Sequence, residues 1–232
     1  MNIDAFAGRA QAYTNARPGY PPEAIDYICN LMPQNATIAD VGAGTGKFTE
    51  LIAAHGYETY AVEPSREMRE QLVVTLSPFN NAKIINGTAE NTTLSSNSID
   101  VVTCAQTLNR VDVDKFATEC RRIGKASFLV ISLFNYERGN THSISRYKKS
   151  TGSFFQNPIV REFSNSIYFS LERWMQYHHS MEGVPQEADV GYEDYFATQK
   201  ELFDHNSEDG LLLVDFVTNV TLERGVGAQF KH

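Results

Sequence analysis

Cysteine is scarce in this 232-residue chain, long hydrophobic runs are missing, and no stretch is rich in lysine or arginine. Each absence excludes something. Cys29, Cys104 and Cys120 are scattered and odd in number, with no CxxC or Cys/His ligand spacing. Neither a disulfide framework nor a bound metal is therefore expected. The longest strongly apolar run, Phe128 to Phe134, is far too short to span a bilayer. Met1 to Ala12 holds no apolar signal core, so a cytoplasmic protein with reduced cysteines is the expectation. The formal net charge is −8, and from Met181 to Asp215 the only Lys or Arg is Lys200. A nucleic-acid binder needs a basic face to displace counterions from phosphates. A small-molecule partner is expected instead, with no nucleic acid and no membrane, and the oligomeric state is left open.

What is present is an alternation of short β-branched runs with amphipathic stretches, the pattern of βαβ units around a parallel sheet. Strands are predicted at Thr37–Val41, Tyr57–Val62, Ala82–Ile85, Ile99–Ala105 and Ser127–Phe134. Helices are predicted from Pro22, over Phe48–His55, from a Ser65 cap to Leu76, and over Val113–Ile123. After Asn135 the rhythm changes. Residues 140–165 read as polar and irregular, with a short helix near Ile144–Lys149. A strand at Ser166–Phe169 and helices at Ser170–His178 and Tyr192–His205 follow, and Gly210–Thr221 reads as a long β run. The expectation is one domain: a core over 1–135, a late cap over 136–209, and a strand over 210–224 that returns to the sheet as part of an edge hairpin.

The strongest local signal is Asp40-Val41-Gly42-Ala43-Gly44-Thr45-Gly46, directly after a strand and before a helix. Glycines there let the chain turn tightly and let a ligand approach where a Cβ would collide. Alone, such a turn is weak evidence, because loops also use glycine simply to turn. Glu63 ends the next strand about 20 residues on, where a carboxylate can accept both hydroxyls of a ribose. The pair indicates a nucleoside-containing cofactor. NAD-type sites favour GxGxxG over a helix N-terminus that binds a pyrophosphate. Here the glycines run GxGxG and are followed by Lys47-Phe48. S-adenosylmethionine (SAM) carries a sulfonium and an ammonium, which Asp40 and Glu63 would complement. Asp40 serves equally well as a turn residue bonded to loop amides.

These residues resemble the class I SAM-dependent methyltransferases, in the branch around the trans-aconitate methyltransferase-like and Methyltransf_11/25 families. Tyr13 with Arg17-Pro18-Gly19-Tyr20-Pro21 is similar to the N-terminal signature of that branch. Asp40–Gly46 is similar to its SAM-binding motif, Glu63-Pro64-Ser65 to its acidic strand end, Gly87-Thr88-Ala89-Glu90 to its adenine segment, and Ile99–Gln106 to its fourth-strand motif. The resemblance implies a Rossmann-like α/β fold: a mostly parallel seven-stranded sheet with helices on both faces and a small late cap. It also implies roles. Gly42, Ala43, Gly44 and Gly46 would lie under the methionine portion, Glu63 and Pro64 at the ribose, and Thr88, Ala89 and Glu90 around the adenine. Gln106 would face the methionine and substrate side, while Tyr13 and Arg17 would close over the cofactor, Arg17 pairing with its carboxylate. The chain departs from the pattern at Asn109-Arg110, where relatives often have His-Trp, and at His178-His179, where a serine-rich run is usual.

Methyl transfer from a sulfonium releases a neutral thioether, so positioning can supply much of the rate and a base is needed only where the acceptor must lose a proton. Candidates for such a role are His178, with His179 and His142 behind it, and Asn109 and Arg110 at the rim beyond the fourth strand. Trp174, Tyr177, Tyr192 and Tyr195 fit a pocket wall or, at helical spacing, a packed core. Two rival readings stand beside an enzyme: a SAM- or SAH-binding protein (SAH, S-adenosylhomocysteine) whose acceptor site has degenerated, and a nucleotide-dependent oxidoreductase.

Overall fold

A computed structural model describes residues 10–225, apart from the side chains of Ala10, Gln11, His142 and Ser143. Nine strands and eight α-helices are assigned among these residues. The first half runs α1 (Ala10–Ala16), α2 (Pro22–Leu31), β1 (Thr37–Val41), α3 (Thr49–Ala54), β2 (Glu58–Val62), α4 (Arg66–Leu76), β3 (Ala82–Ile85), β4 (Ile99–Ala105), α5 (Val113–Ile123) and β5 (Gly124–Glu137). The second half runs α6 (Thr141–Phe154), β6 (Ile159–Ser164), β7 (Ile167–Phe169), α7 (Leu171–His179), α8 (Tyr192–Asn206), β8 (Leu212–Val214) and β9 (Phe216–Arg224). Seven strands form one sheet in the order β3-β2-β1-β4-β5-β9-β6; only β9 runs against its neighbours. This is the mostly parallel α/β sheet that the sequence predicts.

The strands of the parallel half are apolar along their length because helices cover both faces. In β1, Ile38 packs with Ile28, Phe48 and Ile52 of one layer, while Ala39 and Val41 pack with Phe116 and Cys120 of the other. Asp40 shares the face of Ile38 yet carries charge, so it is the one residue of β1 that packing does not explain. The helix starts are set by side-chain caps: Ser65 accepts from Met68 N, and Asp112 from Lys115 N at 3.2 Å. Strands β1, β3 and β4 and helix α5 keep the bounds expected from the sequence.

The second half differs more. Residues 141–154, read as largely irregular, form α6, and 159–164 form a sheet strand rather than part of a cap. Tertiary contacts override a Ser/Thr-rich, low-propensity sequence here. Phe154 stacks on Phe116 of α5 with ring centroids 5.3 Å apart, and the Tyr147 hydroxyl reaches Ser132 and Thr221. Strand β5 is also longer than expected, reaching Glu137. The run from Gly210 is broken at Asp215, so that β8 pairs with β7 in a small ribbon and β9 enters the main sheet. β9 is not at an edge; it lies between β5 and β6, and β6 is the edge. What stands apart from the sheet is 167–214, with a core of Phe169, Trp174, Tyr177, Phe203 and Leu212 against Phe216. Among the described residues, no helix is long and apolar enough to cross a membrane.

Candidate functional site

In an open parallel sheet, ligands collect at the carboxyl ends of strands where neighbouring connections diverge. β1 is that point here, flanked by β2 on one side and β4 on the other. A cavity of about 250 Å³ opens there. Its walls include Tyr13, Arg17 and Tyr20, the turn residues Gly42, Ala43, Gly44 and Thr45, and Gln106, Asn109 and Arg110 beyond β4.

The three glycines of the turn do two different jobs. A Cβ on Gly42 would lie 2.4 Å from Thr107 Oγ1, and one on Gly46 would lie 2.7 Å from Leu72 Cδ1. Both are therefore packing glycines. At Gly44, φ is +59° and a Cβ would meet no protein atom within 4 Å. Its missing side chain leaves space on the cavity side of the turn rather than room for a neighbour.

Beneath the turn, Asp40 is 1% exposed and accepts from Thr49 Oγ1 at 2.6 Å and Thr103 Oγ1 at 2.9 Å. Burial pushes its pKa up to about 6, against the pull of both hydroxyls. It bonds to side chains, not to loop amides. Glu63, at the end of β2, does hold the loop: its oxygens accept from Gly44 N at 2.9 Å and Ser65 N at 2.8 Å. Burial raises its pKa and the two amides oppose the rise. An ionised carboxylate has about four lone-pair sites, so two remain for further donors. Gln106 occupies the left-handed region at φ +60°, with its N–H bonded to Leu133 O. A glutamine rarely adopts that backbone, and it turns the chain sharply at the cavity wall.

Buried polar atoms left without a partner mark where a fold expects a ligand. Among the described residues these are Arg17 Nε, Thr45 Oγ1, Asn109 Oδ1, Arg173 Nε and His178 Nε2. The first three belong to residues lining this one cavity. Arg17 is otherwise fixed: Nη2 donates to Ser180 O at 3.0 Å, and the guanidinium lies over the rings of Tyr13 and Tyr177 at 5.3 and 5.2 Å. A second tie to the cap is the 2.9 Å ion pair between Arg110 and Glu182.

Several expected site residues lie elsewhere. Asp40, Gly46, Glu63, Pro64, Thr88, Ala89 and Glu90 do not line the cavity, and Glu63 touches its wall only through the bond from Gly44 N. Ala89 is 1% exposed within the hydrophobic core, and Thr88 closes a small bridge with Asn91. The Glu90 carboxylate accepts from Asp112 N at the start of α5. His178 is not in the wall either. It is packed against Trp174, its Nδ1 lies 2.7 Å from the Tyr195 hydroxyl, and burial pushes its pKa down to about 4. An imidazole so hard to protonate in a packed cap core does not suit a base facing the acceptor. His179 stacks on Phe196, and the side chain of His142 lies outside the described residues. Of the aromatic candidates, only Tyr177 reaches the cavity. Lys47, Phe134, Tyr136, Glu137, Arg146 and Met181 also line it and were not expected. The sheet-end rule points to residues 134–137, whereas nothing in the short helix expected near Ile144–Lys149 marks Arg146 as a cavity residue.

Residues 39–131 match the model of a methyltransferase domain, Methyltransf_11. An uncharacterized methyltransferase of Mycobacterium tuberculosis is 38% identical over 120 residues, 51% of this chain and 47% of that one. An uncharacterized methyltransferase-like protein of Schizosaccharomyces pombe is 30% identical over 157 residues, 66% of this chain and 60% of that one. The chain thus spans about half to three-fifths of the length of these curated relatives. Among solved structures, a proposed type II methyltransferase of Anaeromyxobacter dehalogenans superposes with a TM-score of 0.62 at 16% identity, covering 90% of this chain and 97% of that one. Residues 39–131 of this chain are thus similar to a methyltransferase domain, and the fold is that of solved methyltransferases. The matched stretch runs from within β1 to within β5, and so holds the glycine turn, Asp40, Glu63 and the Gln106–Arg110 rim. It ends before Glu137, Arg146 and the cap.

Proposed function

We propose that this protein is a methyltransferase that uses SAM and transfers its methyl group to a small-molecule acceptor in the cytoplasm. The observation that carries the reading is the trio of unpartnered polar atoms in one wall. Arg17 Nε is a donor, Asn109 Oδ1 an acceptor, and Thr45 Oγ1 either. A ligand that meets all three must itself offer an acceptor and a donor, as an α-amino carboxylate does. Arg17 would hold the carboxylate, with Thr45 and Asn109 taking the ammonium side, and the open face of Gly44 would admit the chain between them. Glu63 has two lone-pair sites left for ribose hydroxyls. When bound, SAM supplies a methyl group on a cationic sulfur. The protein's part is to bind, orient and exclude water. The ties of Arg17 to Ser180 O and of Arg110 to Glu182 hold the cap segment against the cavity wall, which supports a site shielded from water. Three free cysteines, two of them buried, suit a reducing cytoplasm.

Calorimetric titration with SAM, SAH and NADH tests the cofactor. Binding of SAM and SAH, with no heat from NADH, is expected; binding of NADH alone would overturn the reading. A methyl-release screen over amines, carboxylates, phenols and thiols then separates an enzyme from a protein that only binds SAM.

A further inference from the structure

The acceptor end of the cavity holds charges that the fold does not neutralise. Arg110 is paired with Glu182, and Arg17 is tied to Ser180 O between two rings. Glu137 and Arg146 line the same cavity, and the side chain of neither makes a hydrogen bond or ion pair among the described residues, with each other or with anything else. Two opposite charges in one cavity that leave each other unpaired forgo an attraction that either could have gained. Both positions are also well defined. Glu137 ends β5 in register with Phe216, and its carboxylate acts on the phenol of Tyr177, the ring beneath Arg17. Arg146 precedes Tyr147, whose ring stacks on Phe134 at 4.4 Å and whose hydroxyl is anchored to Ser132 and Thr221.

We infer that the methyl acceptor carries both a basic amine and an anionic group, the amine facing Glu137 and the carboxylate or phosphate facing Arg146. This rests on the cavity binding SAM, and deepens that reading by naming the acceptor class. The amine is the nucleophile. Its ammonium form first gives a proton to the Glu137 carboxylate. The freed lone pair then forms the N–C bond as the C–S bond breaks, sulfur keeps that bond's electron pair, and the product leaves as a methylated ammonium. Arg146 suits the other end, because its guanidinium can grip a carboxylate or a phosphate through two parallel N–H donors.

The test is calorimetry on protein saturated with SAH, which requires no turnover. The probes are ω-amino acids of two to four carbons, alkylamines and alkyl carboxylates of matched length, and phosphoethanolamine beside ethyl phosphate. A probe with both charges should bind at least tenfold more tightly than either single-charge analogue; the carboxylate and phosphate sets show which anion is preferred. Glu137→Gln should erase the advantage over the anion, and Arg146→Gln the advantage over the amine, with SAH affinity within twofold of wild type in both. Equal binding of a single-charge analogue, indifference to both substitutions, or no binding by any probe overturns the inference while leaving the cofactor reading intact. Failure of SAH itself to bind the wild-type protein withdraws both.

Discussion

Alanine placed at Gly42 and at Gly44 should produce opposite phenotypes although the two positions are two residues apart in one turn. Both have positive φ, +74° and +59°, so each substitution costs about 1–2 kcal/mol for a left-handed non-glycine residue. At Gly42 the new Cβ also lies 2.4 and 2.5 Å from Thr107 Oγ1 and Cγ2. Overpacking of that kind adds about 1–3 kcal/mol. Gly42→Ala should therefore lose about 2–5 kcal/mol of unfolding free energy, and Gly44→Ala only about 1–2 kcal/mol. Binding should rank the other way. The Gly44 Cβ enters space free of protein atoms, so Gly44→Ala should weaken SAH binding at least tenfold and Gly44→Val should abolish it. Gly42→Ala, once folded, should bind more tightly than Gly44→Ala. Urea denaturation gives the first ranking and calorimetry the second. Thr107→Ala supplies an internal control: it removes the two clashing atoms, so the Gly42→Ala/Thr107→Ala double variant should be more stable than the sum of the single losses implies. Wild-type SAH affinity in Gly44→Val, or strictly additive losses for Gly42 and Thr107, would refute the division of labour within the turn.

Glu63→Gln should weaken SAM binding by about 1.5–3 kcal/mol, the worth of a hydrogen bond to a charged group, because an amide cannot accept from Gly44 N and Ser65 N together; calorimetry checks it. Arg17→Ala should both weaken SAM binding and speed proteolysis of residues 181–191, since Ser180 O loses its donor; limited digestion followed by mass spectrometry reads the second effect. His178 and Asp40 should oppose each other in pH dependence. His178 titrates near 4 in the folded state against 6.5 unfolded, so its share of stability is complete above 6.5 and lost as pH falls toward 4, about 2–3 kcal/mol by pH 4.5. Asp40, raised from 3.8 to about 6, adds stability below 3.8 that is lost as pH rises through 6. His178→Phe should therefore lose less stability than wild type between pH 7.5 and 4.5, and Asp40→Asn should lose more, both read from urea melts at the two values.

The first half of the fold was legible because local and global signals agree there. β1 and β4 are short β-branched runs buried on both faces, and Ser65 caps its helix as a serine before a helix should. The glycine turn and its partner Glu63 could be read for the same reason, since backbone geometry forces glycine and a strand end forces position. α6 could not. THSISRYKKSTGSF has weak intrinsic helicity, and what holds it is the reach of Tyr147 to Ser132 and Thr221 and of Phe154 to Phe116, contacts that no local window contains. Arg146 fell inside the expected short helix, but its place in the cavity depends on those same distant contacts. Glu137 was missed because β5 runs three residues past the end of its apolar stretch. Ala89 and His178 show the converse: a residue placed by motif or by chemistry alone turned out to be buried in packing.

The place of β9 between β5 and β6 has a consequence for biosynthesis. As the chain leaves the ribosome, β5 and β6 emerge long before the strand that joins them, and each exposes an open edge while the cap is being made. Residues 216–224 then slot in as a keystone. Before that moment a chaperone, or another nascent copy, competes for the same two edges, so expression yield should respond more steeply to changes in β9 than to changes of equal size in β3.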